Sequence, residues 1–228
     1  MRRLAILALL LPGLARAACP SVPPAAAAPD EALPSARPGG TLSLLVVGSA
    51  STAAPGGYPE ALAAALRAAR PGLRLRLDLR GGRGEDAAQG LARLRQALSG
   101  ARYDEVVWQL GTVDAVLGAR PEDFAETVDA GIAAARAHGA AVVLIDPQFS
   151  RFLRANVDLE PYVSVLEAAA LEPGVVLFPR LAVTTRWAEA DGLDPGHAPA
   201  AAAASVARRV QVCVGRALAR FLLAAPGG

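Results

Sequence analysis

The residues of this chain that could do chemistry fall in two stretches far apart in the sequence. Ser49, Ser51 and Thr52 crowd the end of an apolar run within LSLLVVGSAST, residues 42–52, and Asp191, Asp194 and His197 share the stretch Asp-Gly-Leu-Asp-Pro-Gly-His. A serine hydroxyl is a weak nucleophile until a base takes its proton, and an imidazole oriented by a carboxylate is a suitable base. Ser51 or Ser49, with His197 and Asp191, therefore supplies the parts for acyl transfer. The same residues also have plainer uses. Hydroxyls after a strand cap helices and brace turns, and a histidine in a Pro-Gly loop is often only solvated. His138, before Gly139 near a helix end, suits the helix dipole and reads as structural. Asp191 and Asp194 could act as a carboxylate pair, but no further His/Asp/Glu cluster accompanies them, and no metal is expected. No cofactor is expected either. Gly48-Ser49-Ala50 lacks the dinucleotide glycine spacing, and the absence of lysine excludes Schiff-base and P-loop lysine chemistry.

The elements around these residues alternate. Leu44–Val47, Glu105–Leu110 and Ala141–Ile145 are continuous apolar runs, as expected of strands buried on both faces. Leu73–Leu79 alternates instead, with Leu73, Leu75, Leu77 and Leu79 on one face and Arg74, Arg76 and Asp78 on the other, which predicts an edge strand. Gly174–Phe178 completes five strands. Helices are predicted at Tyr58–Arg70, Glu85–Ser99, Pro121–His138, Glu160–Leu171 and Ala198–Leu223, several closed by Pro or Gly stop signals. Strand–helix alternation means a parallel sheet covered on both faces, and right-handed crossovers favour the flavodoxin-like order 2-1-3-4-5. Loops leaving the carboxyl ends of such strands carry the ligand site. Gln109 and Gln148, each at a strand end, are therefore pocket-lining candidates, while Trp108 and Trp187 read first as packing residues.

The 228 residues suffice for one domain with a sizeable core. Arg2 and Arg3, an apolar run Leu4–Leu11 and Ala15-Arg16-Ala17 have the order of a secretory signal peptide, so residues 1–17 are expected to be a leader. The run is too short to span a membrane. Without Arg2, Arg3 and Arg16, 20 of the 23 basic residues face 21 acidic ones; this near-neutral balance excludes a nucleic-acid protein by charge. Residues 18–40 are an Ala/Pro-rich linker and 41–228 the domain. Export to the periplasm or medium implies an oxidising compartment, where Cys19 and Cys213 are expected to pair. Cys19 also allows a lipid-anchored alternative, although Arg16, three residues earlier, is a poor residue in that place.

Four motifs follow in order: Gly48-Ser49-Ala50-Ser51-Thr52, Gly81-Gly82-Arg83-Gly84-Glu85, Gln109-Leu110-Gly111-Thr112-Val113-Asp114 and Asp191-Gly192-Leu193-Asp194. Their order and content resemble the SGNH (GDSL) hydrolases, a family of esterases, lipases and carbohydrate deacetylases. The resemblance implies a three-layer α/β/α sandwich and, in an active member, a serine nucleophile, a glycine and an asparagine in the oxyanion hole, and an Asp/His pair as base. Transferred residue by residue, Gly48, Gly84, Gly111, Asp114 and Asp191 match the family. Ser49 stands at an aspartate, Ala50 at the nucleophilic serine, Val113 at the asparagine and Asp194 at the histidine. The resemblance thus implies a hydrolase-type frame without its reacting groups, binding a small ester, acyl or glycan ligand of the envelope. Two other readings stay open: an active serine esterase or acetyl hydrolase using Ser51 or Ser49 with His197, and an envelope scaffold.

Overall fold

The computed structural model describes residues 18–38 and 40–224; the expected leader lies outside the described residues. In chain order the elements are β1 (Thr41–Gly48), α1 (Ala50–Ala53), α2 (Tyr58–Ala69), β2 (Arg74–Gly81), α3 (Ala87–Gly100), β3 (Glu105–Gln109) and α4 (Thr112–Leu117). There follow α5 (Pro121–Ala137), β4 (Ala141–Ile145), α6 (Arg151–Asn156), α7 (Glu160–Ala169), β5 (Val175–Phe178), α8 (Arg180–Ala190) and α9 (Ala200–Leu223). The five strands form one parallel sheet in the order β2-β1-β3-β4-β5, as expected from the alternation.

Strand side chains point alternately to the two faces, and here both faces are apolar. Leu42, Leu44 and Val46 of β1 join a core with α2, α8 and α9, while Leu45 and Val47 join another with α3, α5 and α7. Trp108 of β3 fills the second core. It sits so tightly under α3 and α5 that a Cβ on Gly131 would lie 2.0 Å from its ring, and one on Gly90 2.9 Å. On the other face, α9 crosses α2 at Gly215, where a Cβ would meet the Tyr58 carbonyl at 2.3 Å. The leader of α3 is a capping box: Asp86 accepts the Gln89 N–H, and the Gln89 side chain accepts that of Asp86.

β2 is the edge strand that its alternation predicts, but the pattern holds over only part of its length. Leu75 and Leu77 pack against the α2/α9 core, whereas Leu79 is exposed. On the other face, Arg76 stacks over the Tyr103 ring, and Asp78 accepts the Tyr103 hydroxyl at 2.6 Å. Helix α8 is an element that the sequence pattern did not reveal; its inward residues Val183, Thr184 and Trp187 alternate with too many polar ones to form a clear apolar stripe.

The Ala/Pro-rich stretch after residue 17 lies along the domain rather than apart from it. The Cys19–Cys213 disulfide joins it to α9. Ser21 O accepts the Trp187 indole N–H at 2.8 Å, and Ala26 and Leu33 are buried in the α2/α8/α9 core. In the chain-entropy model, closing a loop of 194 residues restricts the unfolded chain by on the order of 5 kcal/mol. That is how a stretch too poor in large apolar side chains to fold alone is held in place.

The far end of this strap meets a buried acid. Ser35 donates its N–H to Glu105 Oε1 at 2.6 Å and its hydroxyl to Leu222 O at 2.7 Å. Glu105 is fully buried, its Oε2 has no partner, and burial pushes its carboxyl up to about 7, against the pull of the Ser35 N–H. A carboxyl raised in the folded state stabilises the fold fully below its unfolded value, and that stability is lost as pH rises through about 7. Glu105→Gln removes the charge. We expect the stability lost between about pH 5 and about pH 8 to shrink in urea titrations of the variant. An unchanged loss would show that Glu105 does not carry it.

Candidate functional site

The turns leaving the carboxyl ends of the strands surround one cleft of about 620 Å³. Its wall includes Ser49, Ala50 and Ser51 after β1, Arg83 and Gly84 after β2, and Gln109, Thr112 and Val113 after β3. Gln148 after β4, Arg180 after β5, and Arg208 and Gln211 of α9 complete it. Two glycines let the first turns approach. A Cβ on Gly81 would lie 1.9 Å from the Gly48 carbonyl oxygen, and one on Gly48 would lie 2.4 Å from Thr52 Oγ1.

Ala50 opens α1 and is exposed to the cleft; its methyl group offers neither a nucleophile nor a proton. The hydroxyls beside it are occupied. Ser49 donates to Gly82 O at 3.3 Å, and Ser51 donates to Gln109 Oε1 at 2.6 Å. Thr52 is buried between Gln109 Oε1, at 3.3 Å, and the Tyr58 hydroxyl, at 3.2 Å. Burial raises the Tyr58 phenol above its ordinary value, so it stays a neutral bonding partner.

The second chemical stretch is placed elsewhere. His197 is exposed, and its backbone N–H donates to Asp194 O. Asp194 is buried; it accepts Arg151 Nε at 2.5 Å and the Gly196 N–H at 2.9 Å. Asp191 is exposed at the end of α8. None of the three belongs to the cleft wall, and among the described residues no hydrogen bond joins His197 to Ser49 or Ser51. The structure therefore gathers Ser49, Ala50, Ser51, Gly84, Gln109, Val113 and Gln148, and leaves Asp191, Asp194 and His197 outside.

Gly111 and Asp114 act as a brace. Asp114 is buried; Oδ1 accepts the Ala87 N–H at 2.8 Å and Oδ2 the Gly111 N–H at 3.1 Å. One carboxylate so ties the loop after β2 to the loop after β3. Burial raises its pKa, while the two N–H groups and the backbone oppose the rise. Gly111 has φ +84°, and a Cβ there would also press on the Pro147 ring at 3.3 Å.

Arg180 is the wall residue that sequence reasoning passed over. It follows Pro179 at the end of β5, the same strand-end position that singles out Gln109 and Gln148, so the signal was present. Only 1% of it is exposed. Nε donates to the Asp146 carbonyl at 3.0 Å and Nη1 reaches Ser51 Oγ at 3.5 Å; among the described residues it makes no salt bridge. The Asp146 carboxylate turns instead to the Leu181 N–H at 2.8 Å, and burial pushes it up to about 7.

Chemically, the cleft combines small apolar side chains, such as Ala50, Val113 and Leu153, with hydroxyls, amides and a buried cation, and among the described residues no imidazole lines it. The brace is the feature whose loss should be felt throughout. Asp114→Ala leaves two inward N–H groups without acceptors, which should cost about 2–4 kcal/mol in urea unfolding. A loss under about 0.5 kcal/mol would mean that the loops are held by other contacts.

A profile describing a non-GDSL lipase-like family matches residues 18–226. No curated protein matches the chain. Among solved structures, that of TesA is 27% identical, covers 75% of this chain and 97% of its own, and superposes with a TM-score of 0.56. A catalytic mutant of Axe2, an acetylxylan esterase from Geobacillus stearothermophilus, shares 18% identity over 82% of this chain and 96% of that one, at a TM-score of 0.66. AlinE4, an SGNH-hydrolase family esterase, shares 19% over 79% and 98%, at 0.56. The last two likenesses concern the fold alone. With its SGNH-type sheet and cleft, and with the family profile spanning nearly all of it, the chain belongs to the non-GDSL lipase-like family.

Proposed function

We propose that this protein is exported and binds an acyl or glycan ligand of the envelope in the cleft without hydrolysing it. The observation that carries the reading is Ala50. In an SGNH-like frame it holds the place of the nucleophile, at the head of α1 and open to the cleft. Val113, at the asparagine position of its motif and likewise in the cleft wall, agrees with it; Asp194 stands at the histidine position of its motif but outside that wall. Removing a nucleophile or its base costs on the order of 10⁴–10⁶ in rate, so little turnover is left to such a site. Backbone shape and polar side chains survive such replacements, and binding needs no more than these. Export is supported by the order of the leader residues and by the Cys19–Cys213 bond, which belongs to an oxidising compartment. Among the described residues no helix is long and apolar enough to cross a membrane.

A hydrolase reading has one observation in its favour: Ser51 stands in the cleft wall, with the Arg180 guanidinium 3.5 Å from its oxygen. The two readings part in a simple assay. We expect no labelling by a serine-directed fluorophosphonate and no release of p-nitrophenol from p-nitrophenyl acetate above the buffer rate. Labelling that disappears in Ser51→Ala would establish the hydrolase instead. The motif register has its own test. The variant Ala50→Ser, Val113→Asn, Asp194→His restores the three groups of the motifs, and we expect esterase activity at least about tenfold above the parent. Residue 194 lies outside the cleft wall, so that activity requires its loop to turn toward the cleft once the Arg151 pair is removed. Arg151, which loses its partner in that variant, is partly exposed and can turn to water. A folded but inert triple variant would show that these positions are not the catalytic ones.

A further inference from the structure

The cleft wall carries Arg83, Arg180 and Arg208 and contains no aspartate or glutamate. Arg83 and Arg208 are exposed, and among the described residues neither forms a salt bridge. Arg180 is the unusual one, a buried guanidinium whose bonding partners are a carbonyl and a hydroxyl. An arginine side chain stays charged in a protein, and its burial is costly where no carboxylate pairs with it directly; the Asp146 carboxyl acts on Arg180 only through space, without an ion pair. A planar fork of N–H donors beside an open cavity fits an oxyanion, which would supply the missing charge.

The rest of the wall selects the body that carries such a group. Thr112 Oγ1 and Gln211 Oε1 are buried atoms with no hydrogen-bond partner, while the amide oxygens of Gln109 and Gln148 are taken by Ser51 and Thr52 and by Gln211 Nε2. The arginines call for an anion, and the small apolar side chains between them, such as Ala50, Val113 and Leu153, leave surface against which the C–H face of a sugar ring can pack. The cavity has room for a sugar residue or two. It also continues. A second cavity of about 500 Å³ shares Ala204 and Arg208 with it and runs along α9 past Arg209, Arg216 and the Cys19–Cys213 bond, again without an acidic residue in its wall. No aromatic side chain lines either cavity, so stacking of nucleic-acid bases has no platform.

We propose that the cleft and the α9 groove bind an acidic glycan, with a sugar carboxylate held by Arg180 and flanking carboxylates by the arginines of the groove. This rests on the binding role proposed above and names its ligand class.

The test is calorimetric titration of the purified protein with D-galacturonate, tri-galacturonate, D-galactose and acetate at one ionic strength. The proposal expects D-galacturonate to bind at least about tenfold more tightly than D-galactose or acetate, and the trimer more tightly again. Arg83→Ala with Arg208→Ala should weaken both acids about tenfold. Arg209→Ala with Arg216→Ala should weaken only the trimer. All four substituted residues lie on the surface or at the groove, so these variants do not depend on replacing the buried Arg180. Equal binding of D-galactose and D-galacturonate would overturn the anionic ligand while leaving a glycan-binding role intact. Equal binding of acetate and D-galacturonate would overturn the sugar. Absence of binding by any of the four, with a thermal shift by methyl octanoate, would overturn the acidic glycan in favour of an acyl ligand. Fluorophosphonate labelling through Ser51 would remove the non-hydrolytic reading without bearing on the galacturonate titrations.

Discussion

The cleft depends on how closely β1 and β2 end together. Their parallel register runs from Thr41 beside Arg74 to Gly48 beside Gly81, so both strands release their loops at one height. At that last pair neither residue has a side chain, and none would fit: a Cβ on Gly81 would overlap the Gly48 carbonyl. Ser49, Ala50 and Ser51 therefore emerge directly over the loop that carries Arg83 and Gly84. The Asp114 carboxylate then fixes the loop after β3 to the start of α3. Shape at this edge is a backbone property, which is why it can persist when the reacting side chains are replaced.

Electrostatics divides the molecule differently from packing. Two carboxyls, Glu105 at the amino end of the sheet and Asp146 at the carboxyl end, are buried and raised to about 7. Glu105 leans on the Ser35 N–H; Asp146 leans first on the Leu181 N–H and then, without an ion pair, on the Arg180 guanidinium. The one buried guanidinium among the described residues, Arg180, is likewise bonded to a carbonyl and a hydroxyl. Burying a charge opposite neutral groups sacrifices stability that an apolar side chain would supply. Such sacrifices cluster where a site needs them, and Arg180 stands in the wall of the cleft.

The segment after residue 17 shows how a chain rich in alanine and proline can still become structure. It makes few large apolar contacts, but it ends in a disulfide, an indole hydrogen bond and a buried serine. These fixed points lie on α9 and α8, the helices that also form one side of the cleft and of the groove beside it. The strap thus reaches the groove, which Cys19 lines, instead of trailing from the domain.

Much of the fold could be read from residue order alone. Three continuous apolar runs, one alternating strand and regular helix stops define a parallel sheet, because a strand covered on both faces has to be apolar on both. The pairing of Cys19 with Cys213 followed from there being two cysteines in a chain whose first residues predict export. The turns at the strand ends were legible too, because glycines there mark where backbones must approach. Gln109 and Gln148 were legible for the same positional reason. What the residues could not disclose was which distant groups meet. The approach of Ser51 to Arg180 spans 129 positions, and that of Ser35 to Glu105 spans 70; the separation of His197 from both serines is equally a matter of how α8 and α9 pack. Local order is written in propensity and pattern, which act over a few residues. The charge inside the cleft was decided only when the sheet brought five strand ends together and left one buried guanidinium in the wall without a direct ion pair.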